Sequence, residues 1–171
     1  FTVVPKPLDY GVSIGFRTYN GHYLQAVNGG GQQAAARGTW DGPWEMWLLI
    51  DHNGRSLDDG DVITLRASNT NYMTGEGGGG GDVNANRQTI GPWEKWTIHK
   101  LNGSGPIMPG DPIALQASNL EYLSAEGGGG GDVHANRQNI GPWETFAVVF
   151  HGPVAVSGIN VAPNSILSGS S

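Results

Sequence analysis

The chain contains no cysteine, which excludes a disulfide scaffold, a cysteine-ligated zinc site and thiol catalysis. Charge is also scarce. Only 14 % of residues are Asp, Glu, Lys or Arg, and the 15 acids outnumber the 9 bases for a net charge of -6. No run of Lys or Arg could follow a phosphate backbone, so nucleic acid is not an expected partner. No stretch approaches the roughly eighteen consecutive apolar residues of a membrane-spanning helix, so no membrane is expected either. The first residues, Phe-Thr-Val-Val-Pro, include neither an initiating Met nor a basic segment leading an apolar one. They read as a processed mature chain or an excised module, expected outside the cell.

What the chain does have is glycine and tryptophan, 29 and 6 of its 171 residues. With 37 % apolar residues it is long enough to bury one core. The glycines and tryptophans are placed by an internal repeat. Gly-Pro-Trp-Glu occurs at Gly42–Glu45, Gly91–Glu94 and Gly141–Glu144, and a Tyr stands twenty residues before each proline, at Tyr23, Tyr72 and Tyr122. The second and third copies agree at 18 of the 23 positions from Tyr to Glu, including Glu-Gly-Gly-Gly-Gly-Gly-Asp-Val. The first copy has diverged: it keeps Asn28-Gly29-Gly30-Gly31, but Val27 stands where the others have Glu76 and Glu126.

Within each copy, short segments of period two are bounded by Asn, Asp, Gly or Pro, the pattern of strands and turns. Ile14 and Phe16, Ile63 and Leu65, and Ile113 and Leu115 mark the first strand. Leu24, Met73 and Leu123 mark the second, and Val83 with Ala85 or Val133 with Ala135 the third. The fourth carries Trp47 and Leu49, Trp96 and Ile98, or Phe146 and Val148. No sustained helical period is present, so the fold class is all-β. Four strands in three copies predict a β-trefoil, a six-stranded barrel capped by three hairpins, in preference to a propeller, which would need about four to eight blades. The repeats run at about 10–54, 55–103 and 104–152, with an extension at 1–9 and a tail, linker or extra strand at 153–171.

Tyr-Leu-Ser-Ala-Glu at 122–126, the glycine loop, Val-His-Ala-Asn-Arg at 133–137 and Gly-Pro-Trp-Glu-Thr-Phe at 141–146 together resemble the fascin-like branch of β-trefoils. That branch includes actin-bundling proteins and carbohydrate-binding modules of secreted bacterial glycanases. The chain is most similar to the glucan-binding modules, which use a Trp and a Glu per repeat to hold β-linked glucose. The resemblance implies a multivalent, non-catalytic, monomeric β-glucan binder, working with a glycanase in its parent chain or as a partner. Its alternatives are a lectin of other sugar specificity and an actin-binding protein; net charge -6 and one trefoil argue against the last.

The residues themselves leave two readings of each motif. If the backbone is already extended at Trp44, Trp93 and Trp143, their side chains have opposite parity to the buried residues of the fourth strand and face outward. An exposed indole stacks on the C–H face of a pyranose, and the adjacent Glu45, Glu94 or Glu144 can accept hydroxyl hydrogen bonds. Alternatively, the proline turn tucks the Trp under the barrel rim and the Glu bonds turn amides. Glu76 and Glu126 open flexible glycine loops that either approach a ligand or are tolerated as mobile hairpins. Arg87 and Arg137, next to Asn86 and Asn136, either reach a ligand or pair with these acids. The first copy, lacking the Glu and Arg, is expected to be the weakest site or to differ in selectivity.

Other matches fall away. The glycine runs lack the nine-residue tandem spacing of calcium-binding repeats and the Gly-Lys-Ser/Thr of a phosphate loop. His22, His52, His99, His134 and His151 have no metal-ligand spacing, so no cofactor or metal is expected. Acids repeated by threefold symmetry occupy like environments, which suits repeated binding rather than the two unlike acids of glycoside hydrolysis. Asn102-Gly103-Ser104 is a formal glycosylation sequon between the second and third repeats.

Overall fold

The computed structural model describes residues 12–54 and 56–153. The predicted extension at 1–9 and nearly all of the tail at 153–171 lie outside the described residues. Twelve strands follow one another: β1 Val12–Arg17, β2 Tyr23–Ala26, β3 Ala34–Gly38 and β4 Trp47–Asp51 form the first repeat. The second repeat holds β5 Val62–Arg66, β6 Tyr72–Gly75, β7 Val83–Arg87 and β8 Trp96–Lys100. The third holds β9 Pro112–Gln116, β10 Tyr122–Ala125, β11 Val133–Arg137 and β12 Phe146–Pro153.

Antiparallel pairing runs β1–β4–β5–β8–β9–β12 and back to β1, a closed six-stranded barrel with no free edge. The hairpins β2–β3, β6–β7 and β10–β11 hang from β1, β5 and β9. This is the β-trefoil. Its core consists of the residues whose alternation marks the strands: Ile14, Phe16, Ile63, Leu65, Ile113, Leu115, Leu24, Met73, Leu123, Leu49 and Ile98 are fully buried. Each such side chain contributes about 1.5–3 kcal/mol through burial. Trp47 and Trp96 are buried as well, and their indole N–H groups donate to Leu24 O and Met73 O, both at 3.2 Å. The third copy has Phe146 at this position, packed edge-on to Phe16 with ring centroids 6.4 Å apart.

The three hairpins are joined into one cap by main-chain hydrogen bonds. Gly31 N donates to Ala85 O, Gly80 N to Ala135 O and Gly130 N to Ala36 O, each at 2.7 Å. The return bonds run from Ala85 N to Gln32 O, Ala135 N to Gly81 O and Ala36 N to Gly131 O. The glycine loop of each repeat is thus pinned to the third strand of the next. The sequence expectation of flexible loops is corrected by these bonds. Four successive residues also take positive φ, 69°, 89°, 127° and 101° at Gly77–Gly80, so glycine serves conformation here rather than mobility. The first repeat keeps the same course with Asn28 at φ 59°, the left-handed region that Asn tolerates.

A candidate threefold aromatic site

Gly-Pro-Trp-Glu forms a single 3₁₀ turn in each repeat, at Pro43–Glu45, Pro92–Glu94 and Pro142–Glu144, just before the fourth strand. Proline at the first position sets φ for the turn and has no N–H to leave unpaired. The glutamate closes it: Glu45 Oε1 accepts from Gly42 N at 3.1 Å, Glu94 Oε1 from Gly91 N at 2.7 Å, and Glu144 Oε1 from Gly141 N at 2.8 Å. The backbone at each Trp is therefore helical, not extended as strand parity requires. The indoles nevertheless point outward, 42 %, 42 % and 41 % exposed at Trp44, Trp93 and Trp143.

Each indole rests its pyrrole edge on the glycine loop of its own repeat. A Cβ placed on Gly29, Gly78 or Gly128 would lie 3.4–3.5 Å from Cδ1 and Nε1 of the neighbouring Trp, ordinary van der Waals distance, so the ring lies close beside the loop. The turn of the following repeat holds the loop from the other side. Asn69 N donates to Gly29 O at 3.0 Å, Asn119 N to Gly78 O at 2.9 Å and Asn20 N to Gly128 O at 3.0 Å. Each platform is thus built by two repeats, and its ring is held before any ligand arrives.

The polar residues around the second and third platforms form matched sets. Arg87 Nη2 lies 2.5 Å from Glu76 Oε1, and Arg137 Nη2 lies 2.5 Å from Glu126 Oε1. The second oxygen of Glu76 accepts from Asn84 Nδ2 at 2.7 Å, and that of Glu126 meets His134 Nδ1 at 2.8 Å. Arg87 also donates to Asn86 Oδ1 at 2.5 Å, as Arg137 does to Asn136 Oδ1. The Arg87 guanidinium carbon stands 6.0 Å from the Trp93 ring centroid, within cation–π range. Arg137 Nε is 4.0 Å from Glu144 Oε2.

The structure therefore brings Trp, Arg, Asn and both glutamates of repeats two and three into one neighbourhood. It places the acids differently from a simple clamp. Glu76 and Glu126 are engaged by their arginines, while Glu45, Glu94 and Glu144 are 3 %, 5 % and 6 % exposed and cap their turns. Tyr19, 71 % exposed, lies outside the motifs that the sequence singles out; it falls in register with Ser68 and Ser118 and stands beside the Gly128 loop under Trp143. That register is the signal by which the sequence marks it. Among the described residues, no group of three or more His, Asp or Glu could hold a metal ion.

Partial burial pushes the Glu76 carboxyl upward, but hydrogen bonds from Arg87 and Asn84 and the Arg87 charge outweigh it, so its pKa lies below the ordinary glutamate value. Glu126 is lowered by the same balance, with Arg137 and His134 as partners. A depressed carboxylate stabilises the fold above its unfolded pKa of about 4.3, and that contribution is lost as pH falls through the lower folded value. Thermal melts are accordingly expected to fall off below about pH 4. Glu76→Gln is expected to make that acid limb shallower and to lower the melting temperature at pH 7; superimposable pH profiles would refute the assignment.

Fold and surface define a β-trefoil that presents aromatic platforms with threefold symmetry. No family model matches the chain, and no curated protein matches it. Solved structures do. It is similar to the SDF2-like protein from Arabidopsis thaliana at 12 % identity and a TM-score of 0.67, over 84 % of this chain and 94 % of that one. It is also similar to ThreeFoil, a designed 3-fold symmetric protein, at 19 % identity and a TM-score of 0.64, over 81 % of this chain and 98 % of that one. Lysenin, solved in complex with phosphocholine, matches at 16 % identity and a TM-score of 0.60, over 90 % of this chain and 49 % of its own. At these identities the likeness establishes the fold.

Proposed function

We propose that the protein is a non-catalytic carbohydrate-binding module that grips a β-glucan through its three platforms. The observation that carries this reading is the set of three half-exposed, prepositioned indoles at threefold-related places, each bordered by polar side chains. A stacked pyranose covers an indole face without entering a deep cavity, and its equatorial hydroxyls reach sideways. Arg87 and Asn86, Arg137 and Asn136 stand beside those hydroxyls in this reading, with Glu94 and Glu144 contributing lone pairs their turn amides leave over. The β-trefoil neighbours are compatible with carbohydrate binding in general; preference for β-1,3- or β-1,6-linked glucose rests on the sequence resemblance. The reading includes a monomer working outside the cell, beside a glycanase in the parent chain or as a partner.

Affinity electrophoresis through gels containing β-1,3-glucan, β-1,6-glucan, galactan or chitin tests it. Retardation in the β-glucan gels is expected, reduced in Trp93→Ala and again in Trp143→Ala with the melting temperature changed by only a few degrees. Migration unaltered by every polysaccharide would overturn the proposal, and retardation by galactan or chitin alone would replace its sugar.

A further inference from the structure

The first repeat departs from the other two around Trp44, where Gly38 and Trp40 line one space. Gly38 stands in register with Arg87 and Arg137, Val27 with Glu76 and Glu126, and Trp40 with Thr89 and Asn139. Loss of the guanidinium together with its acid partner leaves the flank of Trp44 without the ion pair that borders Trp93. Into this space comes a second indole. Trp40 is 66 % exposed and lies over Gly42, where a Cβ would fall 2.6 Å from its Cζ2. Trp40 and Trp44 together border an open cavity of about 240 Å³, to which Gln25, Arg37 and Glu45 add polar side chains.

The lining is held in place by its own hydrogen bonds. Glu45 Oε2 accepts from Gln25 Nε2 at 2.6 Å while Oε1 holds the Gly42 amide, so the carboxylate is fixed in place. Gln25 has this reach because it replaces the shorter Thr74 and Ser124 of the other copies. Arg37 brings a guanidinium to the lining, but its charge is already paired with Asp132 of the third repeat. A fixed carboxylate beside an arginine that is already paired suits a neutral sugar better than a uronate or a phosphate.

We propose that the first repeat carries a two-walled site that takes a single neutral pyranose unit between Trp40 and Trp44, whereas repeats two and three, which keep the arginine–glutamate pair, each offer one indole. The inference rests on the carbohydrate-binding reading and assigns it an asymmetry. The sequence alone leaves the first copy as the weakest site or as differently selective; the second indole instead makes it the tighter one. A second aromatic wall is worth about tenfold in affinity at this site.

Calorimetric titration with β-1,3- and β-1,6-linked glucose trisaccharides tests it. Trp93→Ala/Trp143→Ala isolates the first site, and Trp44→Ala/Trp143→Ala isolates the second. The isolated first site is expected to bind about tenfold more tightly than the second, and Trp40→Ala on its background to remove that advantage. Trp40 is exposed enough for its removal to leave the fold intact, as a thermal melt would verify. Val27→Glu/Gly38→Arg, which installs the ion pair of the other repeats, is expected to close the site. Unaltered binding in Trp40→Ala, with wild-type binding intact, overturns the inference alone. No binding by the wild type to either trisaccharide or to the gels overturns both this inference and the carbohydrate reading beneath it.

Discussion

Replacing Trp93 and Trp143 together by alanine is expected to weaken retention on an immobilised β-glucan by about 10²- to 10⁴-fold, the range by which linked sites exceed a single one. Single sugar platforms of this shallow kind bind weakly, because association costs freedom of motion that one stacked ring barely offsets. A polymer engages a second platform at high effective concentration once the first is occupied. The double variant leaves only the first repeat, so avidity is lost while affinity for a soluble trisaccharide at Trp44 is retained. Both replaced rings are about 40 % exposed, so the stability cost is expected to be near 1 kcal/mol per site rather than the ~3–5 kcal/mol of a buried Trp. Surface plasmon resonance on a glucan-coated chip checks the prediction; parallel losses for polymer and trisaccharide would point to a structural effect instead.

The second large effect is on folding. Gly79 has φ +127°, and a Cβ there would collide with Asn119 Oδ1. That oxygen accepts from Glu121 N at 3.0 Å and so fixes the turn carrying the next repeat's half of the platform. Gly79→Ala is therefore expected to destabilise the protein by about 3 kcal/mol or more, combining backbone strain of ~1–3 kcal/mol with displacement of that turn. Gly77 provides the contrast. Its φ is +69° and a Cβ added there would meet nothing within 4 Å, and the first repeat carries Asn28 at the same place. Gly77→Asn is expected to change stability by less than about 0.5 kcal/mol. Urea unfolding midpoints for the two variants measure the difference directly; equal midpoints would show that the loop is not pinned by its neighbour.

Much of the fold is legible in the sequence because the barrel is an alternation problem repeated three times. Ile14, Ile63 and Ile113 occupy the same phase of the same strand, and each copy corroborates the others. The glycine loops read as flexible because composition records permissiveness without recording what the backbone is bonded to. The bonds from Gly31, Gly80 and Gly130 run to other repeats, about fifty residues or more away, where no local pattern can announce them. The outward Trp follows from strand parity for an incomplete reason: a 3₁₀ turn presents it instead. Glu45, Glu94 and Glu144 illustrate a further limit. Glutamate after Pro-Trp serves equally as ligand acceptor or turn cap, and only the distance to the Gly amide shows that the cap is made. Trp40 and Tyr19 are visible as residues but fall outside the shared motif, so the pattern of what repeats passes over them.

The six indole N–H resonances in a two-dimensional ¹H–¹⁵N spectrum, followed as a short β-glucan is added, test the central claim most directly. Trp44, Trp93 and Trp143 are expected to shift with the added sugar. Trp47 and Trp96, buried and bonded to Leu24 O and Met73 O, are expected to stay in place. Shifts confined to the buried pair, or none while the sugar is shown to bind, would contradict the account.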